Sequence, residues 1–202
     1  MTMKSRKKIK HKRKVKIPNI YLDTNIIRTL IEKRLPILVN LMRTIKDRKW
    51  ACFTSTIAVL ELSNLKKDDV YFRKKINEKA EYKEIIKGRD QKKLEIKELR
   101  EVNRYIENFF NRYPYFYAYQ IPAEVWRDAL KISFEANINS IDAVHLATAL
   151  IFKANVLITS DTHFIKEANS FLEKYKLAQQ MKVILAGNIF DTLTELGFEL
   201  EN

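Results

Sequence analysis

The chain has 202 residues, 46% hydrophobic and 31% charged, enough apolar material for one globular core with some additions. Its single cysteine, Cys52, excludes an intrachain disulfide or a thiolate metal cage and points to a reducing, cytoplasmic setting, and its three glycines exclude a glycine-rich phosphate loop. The formal charge of +13 is unevenly placed, because nine Lys/Arg and no acid fall in residues 1–17.

Residues 1–16 read as a basic tail, either an arm for polyanions or a solubilising terminus. No apolar run follows it, so it is not read as a secretory signal, and no run is long enough to cross a membrane. Residues 17–22 (IPNIYL) predict a short buried strand, Asn25 to Arg34 a helix, and Pro36 the break before a second helix ending near Lys49. Residues 50–53 (WACF) predict a second strand, with Thr54, Ser55 and Thr56 as candidate caps for an apolar helix ending near Leu65.

Residues 66–112 change character, with 15 Lys/Arg, 10 Asp/Glu and an apolar stripe through Leu99, Val102, Ile106 and Phe109. They read as a helical insertion of one or two long helices, with a break at Gly88. Tyr115 to Gln120 predicts a strand, Pro122 starts a helix reaching Ala136, and Ser140 caps an apolar helix to Phe152. Then come a strand at 155–158, a helix at 162–175, a strand at 182–185 and a closing helix at 189–196 capped by Asp191. This alternation predicts an α/β fold, a parallel sheet between helices spanning residues 17–202, with the insertion at 66–112. Tyr113 to Tyr119 places a tyrosine at every second position, read as one packed face of a strand in preference to a row for stacking bases.

Four acids stand where acids are costly. Asp23, Glu61, Asp142 and Asp161 each interrupt an apolar or small-polar stretch with no Lys or Arg on a neighbouring turn. Asp23 and Asp161 end predicted strands, Asp142 falls in the first turn of a helix, and Glu61 projects from mid-helix. Ligands of open parallel sheets collect beyond the carboxyl ends of the strands, where these acids can meet. Converging carboxylates repel one another unless a cation sits among them, and an oxygen-only donor set suits Mg²⁺ or Mn²⁺. Taken singly, Asp23 and Asp161 could be plain helix caps. His145 shares a face with Asp142 and reads as a satisfied core histidine. Thr24, Asn25, Thr159 and Ser160 adjoin the strand-end acids and could orient carboxylates or cap helices.

The segments IYLDTNII at 20–27, TSTIAVLEL at 54–62, SIDAVHLATAL at 140–150 and LITSDTHF at 157–164 resemble the PIN domain, in the family's order. The resemblance covers about residues 17–190. It implies a three-layer α/β/α sandwich and hydrolysis of RNA by a Mg²⁺- or Mn²⁺-dependent endoribonuclease, with Asp23, Glu61, Asp142 and Asp161 as the metal-holding and catalytic acids. Many members are VapC-like toxins paired with an antitoxin, so the partners it implies are RNA and an antitoxin protein. The insertion and the basic tail make this chain longer than a minimal toxin, which keeps a non-toxin RNA-processing factor in view. Another rival is a catalytically silent RNA-binding module, which would gain nothing from acids that repel phosphate. Phosphotransfer folds fit less well, since Asp23 is followed by Thr24 and Asn25 and no lysine follows the last strand between Val183 and Asn188. The apolar stripe of the insertion must bury against the chain's own helices, a second copy in a homodimer, or an antitoxin helix.

Overall fold

A computed structural model describes residues 17–198. The basic tail expected at 1–16 lies outside the described residues. Strand β1 runs Asn19–Leu22, followed by helices α1 (Thr24–Ile31) and α2 (Pro36–Arg48). Strand β2 (Ala51–Ser55) leads into α3 (Thr56–Asn77), then α4 (Tyr82–Gly88) and α5 (Ile96–Arg112). Strand β3 (Tyr117–Tyr119), α6 (Ala123–Ala136), α7 (Ser140–Ile151) and β4 (Val156–Ile158) come next. The described chain closes with α8 (Thr162–Lys174), β5 (Lys182–Ile184), a 3₁₀ turn (Ala186–Asn188) and α9 (Ile189–Glu195).

The five strands pair in the order β3-β2-β1-β4-β5, and every pairing is parallel. Side chains alternate across each strand, so one strand feeds two cores. Ile20 and Leu22 of β1, Cys52 of β2 and Val156 and Ile158 of β4 join α1, α2, α5 and α9 on one face. Tyr21, Phe53 and Leu157 face the opposite way, into α6, α7 and α8. The result is a three-layer α/β/α sandwich. Strands this short and buried on both faces read as continuous apolar runs, which is why IPNIYL and NVLI were recognisable.

The chain moves outward from β1 to β2 and β3, then returns to the other side of β1 for β4 and β5. The order of winding therefore reverses between β1 and β4. In open parallel sheets such a reversal leaves a crevice beyond the strand ends. The last residues before that crevice are Leu22 and Ile158, paired in register.

Several boundaries differ from the sequence reading. Helix α3 does not stop near Leu65; it continues to Asn77, into the charged segment, because a helix there still buries Asp68, Val70 and Tyr71 on one side. The rest of 66–112 forms two further helices, with α4 ending at Gly88. Helix α5 packs along α3, where Val102 and Phe109 are buried and Ile106 is half-buried, while Leu99 stays 41% exposed. The stripe is thus covered within this chain.

The tyrosine row splits. Tyr113 is buried and the Tyr115 hydroxyl donates to Met42 O at 2.8 Å, whereas Tyr117 and Tyr119 lie exposed on the edge strand β3, stacked on each other at 6.4 Å between ring centres. Two caps also move by one to three positions. Asn139, not Ser140, caps α7, and Asp191 sits in the first turn of α9 behind Asn188. Among the described residues no helix is long and apolar enough to cross a membrane.

Candidate active site

The end of β1 is fixed first. The Asp23 backbone amide donates to Ile158 O at 3.0 Å, which extends the β1–β4 pairing to the rim of the crevice. Its carboxylate is 4% exposed and held by three donors. Oδ1 accepts from the Thr24 amide at 2.6 Å, while Oδ2 accepts from Thr159 Oγ1 at 2.7 Å and from Asn25 Nδ2 at 2.9 Å. The capping reading of Asp23 holds, and capping leaves its second oxygen to other partners. One oxygen caps α1, and the other is clamped between Asn25 of α1 and Thr159 just beyond β4.

Thr159 and Asn25 form the hinge of this clamp. Asn25 Nδ2 also donates to Thr159 Oγ1 at 3.1 Å, and the Ser160 amide donates to Asn25 Oδ1 at 3.1 Å. Ser160 thus contributes through its backbone. Asp161 follows as the cap of α8, with Oδ1 accepting from the Phe164 amide at 3.0 Å.

Glu61 enters from the first part of α3. Its Oε2 accepts from Thr24 Oγ1 at 2.7 Å and lies 2.8 Å from His145 Nε2. The same Nε2 is 3.4 Å from Asp23 Oδ1. His145 is 1% exposed, and its Nδ1 lies 2.7 Å from the Tyr21 hydroxyl, which donates onward to Ser55 Oγ at 3.0 Å. This relay suits an imidazolium. Nδ1–H donates to the Tyr21 oxygen, whose own proton is directed to Ser55, and Nε2–H serves the two carboxylates. Burial opposes the charge, but Tyr21, the Glu61 hydrogen bond and Asp23 outweigh it and raise the His145 pKa well above its ordinary value. In turn burial pushes Glu61 up, yet His145 and Thr24 hold its carboxyl below the usual range.

Asp142 differs from Asp23 and Glu61. It lies in the first turn of α7, where Asn139 caps the helix by accepting from the Ile141 and Asp142 amides, each at 2.9 Å, and Asn139 Nδ2 donates to Asp142 Oδ2. Burial pushes the Asp142 carboxyl up to about 6, with the charges of Asp23, Asp161 and Glu61 adding to the rise and His145 opposing it. The four acids singled out in sequence thus feel one another across one end of the sheet. Asp23, Glu61, Asp142 and His145 line an open cleft of ≈ 390 Å³, together with Asn64, Asp68 and Arg89. Asp161 stands outside that lining. Among the described residues, no three His, Cys, Asp or Glu side chains are drawn tightly enough together to form a ready-made metal cage. The donor set is nonetheless hard oxygen with a surplus of negative charge, the chemistry that an oxygen-seeking divalent ion fits.

His145 was legible as a buried histidine but not as the cation between Glu61 and Asp23. The i, i+3 spacing from Asp142 was the available signal, and it did not reveal the Glu61 contact, made across 84 residues. Tyr21 and Asn139 were missed, and Ser55 was read only as a cap of α3, which it is. A tyrosine inside a fully buried strand, whose hydroxyl needs a partner, could have flagged the first of them.

A family profile for the PIN domain matches residues 20–169, which takes in Asp23, Glu61, Asp142 and Asp161. The chain belongs to the PIN domain family. Members of that family are in general metal-dependent nucleases acting on RNA. No curated protein sequence matches the chain.

Proposed function

We propose that this protein is a divalent-metal-dependent endoribonuclease whose site is built from Asp23, Glu61, Asp142 and Asp161. The observation that carries the reading is that Asp23, Glu61 and Asp142 line one cleft at the reversal of the sheet, with Asp142 pushed up to about 6 by burial and by the charges of Asp23, Asp161 and Glu61. A fold gains no stability from a carboxyl held in that state, so the arrangement fits a site that waits for positive charge. Asp23 and Asp142, with Asp161 at the edge of the cleft, would hold Mg²⁺ or Mn²⁺, which would neutralise negative charge on the phosphoryl oxygens during in-line attack by water. Asp23 is locked by Thr159 and Asn25 and supplies the fixed end of the site. Asp142, half-buried with one oxygen held by Asn139, would offer its other oxygen to the metal across the cleft from Asp23. Glu61, kept ionised by His145, is placed to accept a proton from water at the cleft floor.

Incubation of the purified protein with total RNA, with and without Mg²⁺ or Mn²⁺, followed by mapping of the cut ends, tests this directly. Asp142→Asn should cut no RNA under the same conditions. Cleavage by Asp142→Asn at the wild-type level would sink the assignment. The same activity serves the toxin of a toxin–antitoxin pair or an RNA-processing factor. Growth arrest on expression, absent with Asp142→Asn and relieved by an adjacent-gene protein, would mark the toxin.

A further inference from the structure

An acidic cleft repels the polyanion it is meant to receive, so the protein must supply positive charge near the acids. Among the described residues, the cleft that holds Asp23, Glu61 and Asp142 has a single Lys or Arg in its wall, Arg89. Arg89 is the residue at which α4 ends, directly after Gly88. A Cβ on Gly88 would meet the Tyr71 hydroxyl oxygen at 2.3 Å, so the turn that bears Arg89 packs closely on the Tyr71 side chain of α3.

At rest the guanidinium is held by α3. Arg89 Nε and Nη2 donate to Asp68 Oδ2 at 2.9 and 2.6 Å. Lys92 Nζ stands 2.7 Å from the other oxygen, Asp68 Oδ1. One buried carboxylate therefore has two cations. The Lys92 side chain is only 20% exposed and stays beside Asp68 Oδ1, whereas the Arg89 side chain is 50% exposed and lines the cleft. If Arg89 swings away, Lys92 still leaves Asp68 one cation, and the forked donors of Arg89 match two phosphate oxygens, which a point-like ammonium does not.

We propose that Arg89 is a phosphate-binding residue that exchanges Asp68 for the backbone of the RNA strand lying against the acids. The inference rests on the nuclease reading for the identity of the strand, but its test measures binding. The probe is a short single-stranded oligoribonucleotide of mixed sequence, labelled for fluorescence anisotropy, titrated across a salt series into Asp142→Asn protein so that cleavage does not intervene. Adding Arg89→Ala should weaken binding on the order of tenfold, as expected for one charge-assisted hydrogen-bonded pair. It should also make the log–log salt dependence shallower by about 0.7, because one fewer phosphate of the single strand is then neutralised.

Arg89→Gln, which keeps a donor for Asp68, should show the same loss of slope even if Arg89→Ala folds poorly. Asp68→Asn releases the guanidinium and should tighten binding. An unchanged salt slope in both Arg89 variants, or an Asp68→Asn protein weakened as much as Arg89→Ala, would overturn the proposal and leave Arg89 a partner of Asp68 alone. RNA binding that depends on Arg89 in a wild-type protein that cuts no RNA would instead overturn the nuclease reading and keep this one.

Discussion

Asp23 and Asp142 are both acids of the same cleft, yet substitution should move stability in opposite directions. Asp23 is 4% exposed with three donors aimed at it. In Asp23→Asn an amide NH₂ must face at least one of those donors, so the folded state should lose about 1–3 kcal/mol. Asp142→Asn removes the carboxyl that the neighbouring acids oppose, so the metal-free protein should gain stability. Chemical denaturation of the two variants checks both signs, and equal shifts in the same direction would contradict them. The pH dependence follows from the same group. An acid raised to about 6 in the folded state keeps its proton there while the unfolded chain has lost it, so stability falls as pH rises from about 4 to 6. That slope should be absent in Asp142→Asn. His145 has a raised pKa too, and it adds stability that is fully present below about 6.5 and is lost as pH climbs through the higher folded value. Tyr21→Phe takes away the oxygen behind Nδ1, so the His145 ring should titrate at lower pH when followed by NMR, and an unmoved titration would show that the relay does not hold the charge.

Elements were easiest to read where burial is two-sided or where a proline or a strand-end acid marks a boundary. The runs around β1 and β4, Pro36 at the start of α2 and Pro122 before α6 lie close to where the sequence put them. The acids at 23, 61, 142 and 161 were legible because a lone carboxylate in an apolar stretch is a local anomaly. What was hidden is long-range. Nothing near Leu65 signals that α3 runs on to Asn77, because the burial of Val70 and Tyr71 depends on α4 and α5 arriving later in the chain. Arg89 was invisible for the same reason, since its relation to Glu61 exists only once the charged segment folds back. Helix α5 gives a test at this scale. Val102 is 1% exposed and Ile106 packs against the core that holds Phe109, so Val102→Glu with Ile106→Glu should lower the melting temperature of the monomer by burying charge without partners. A variant that stays fully stable and merely halves in mass by light scattering would show that the stripe pairs two chains.

At the scale of the whole molecule, charge and connectivity matter more than any single contact. Residues 1–17 carry nine of the 38 Lys/Arg. Deleting 1–16 should weaken RNA binding and flatten its salt dependence while sparing the cleavage step, and an unchanged slope would remove the tail from RNA recognition. Mg²⁺ or Mn²⁺ should raise the melting temperature of the wild type by mass action and do so far less in Asp142→Asn. The strand order has a consequence for synthesis. β1 lies between β2 and β4, and Thr159, which clamps Asp23, is 136 residues further along the chain. On the ribosome, β1 and β2 can pair early, but the other edge of β1 stays open until β4 has emerged, a state in which nascent chains are exposed to misassembly. Over that interval Asp23 has no Thr159, and Glu61 has no His145. A nascent chain short of His145 and Thr159 therefore lacks the completed cleft, so the site of the proposed activity is assembled only after most of the chain has been made.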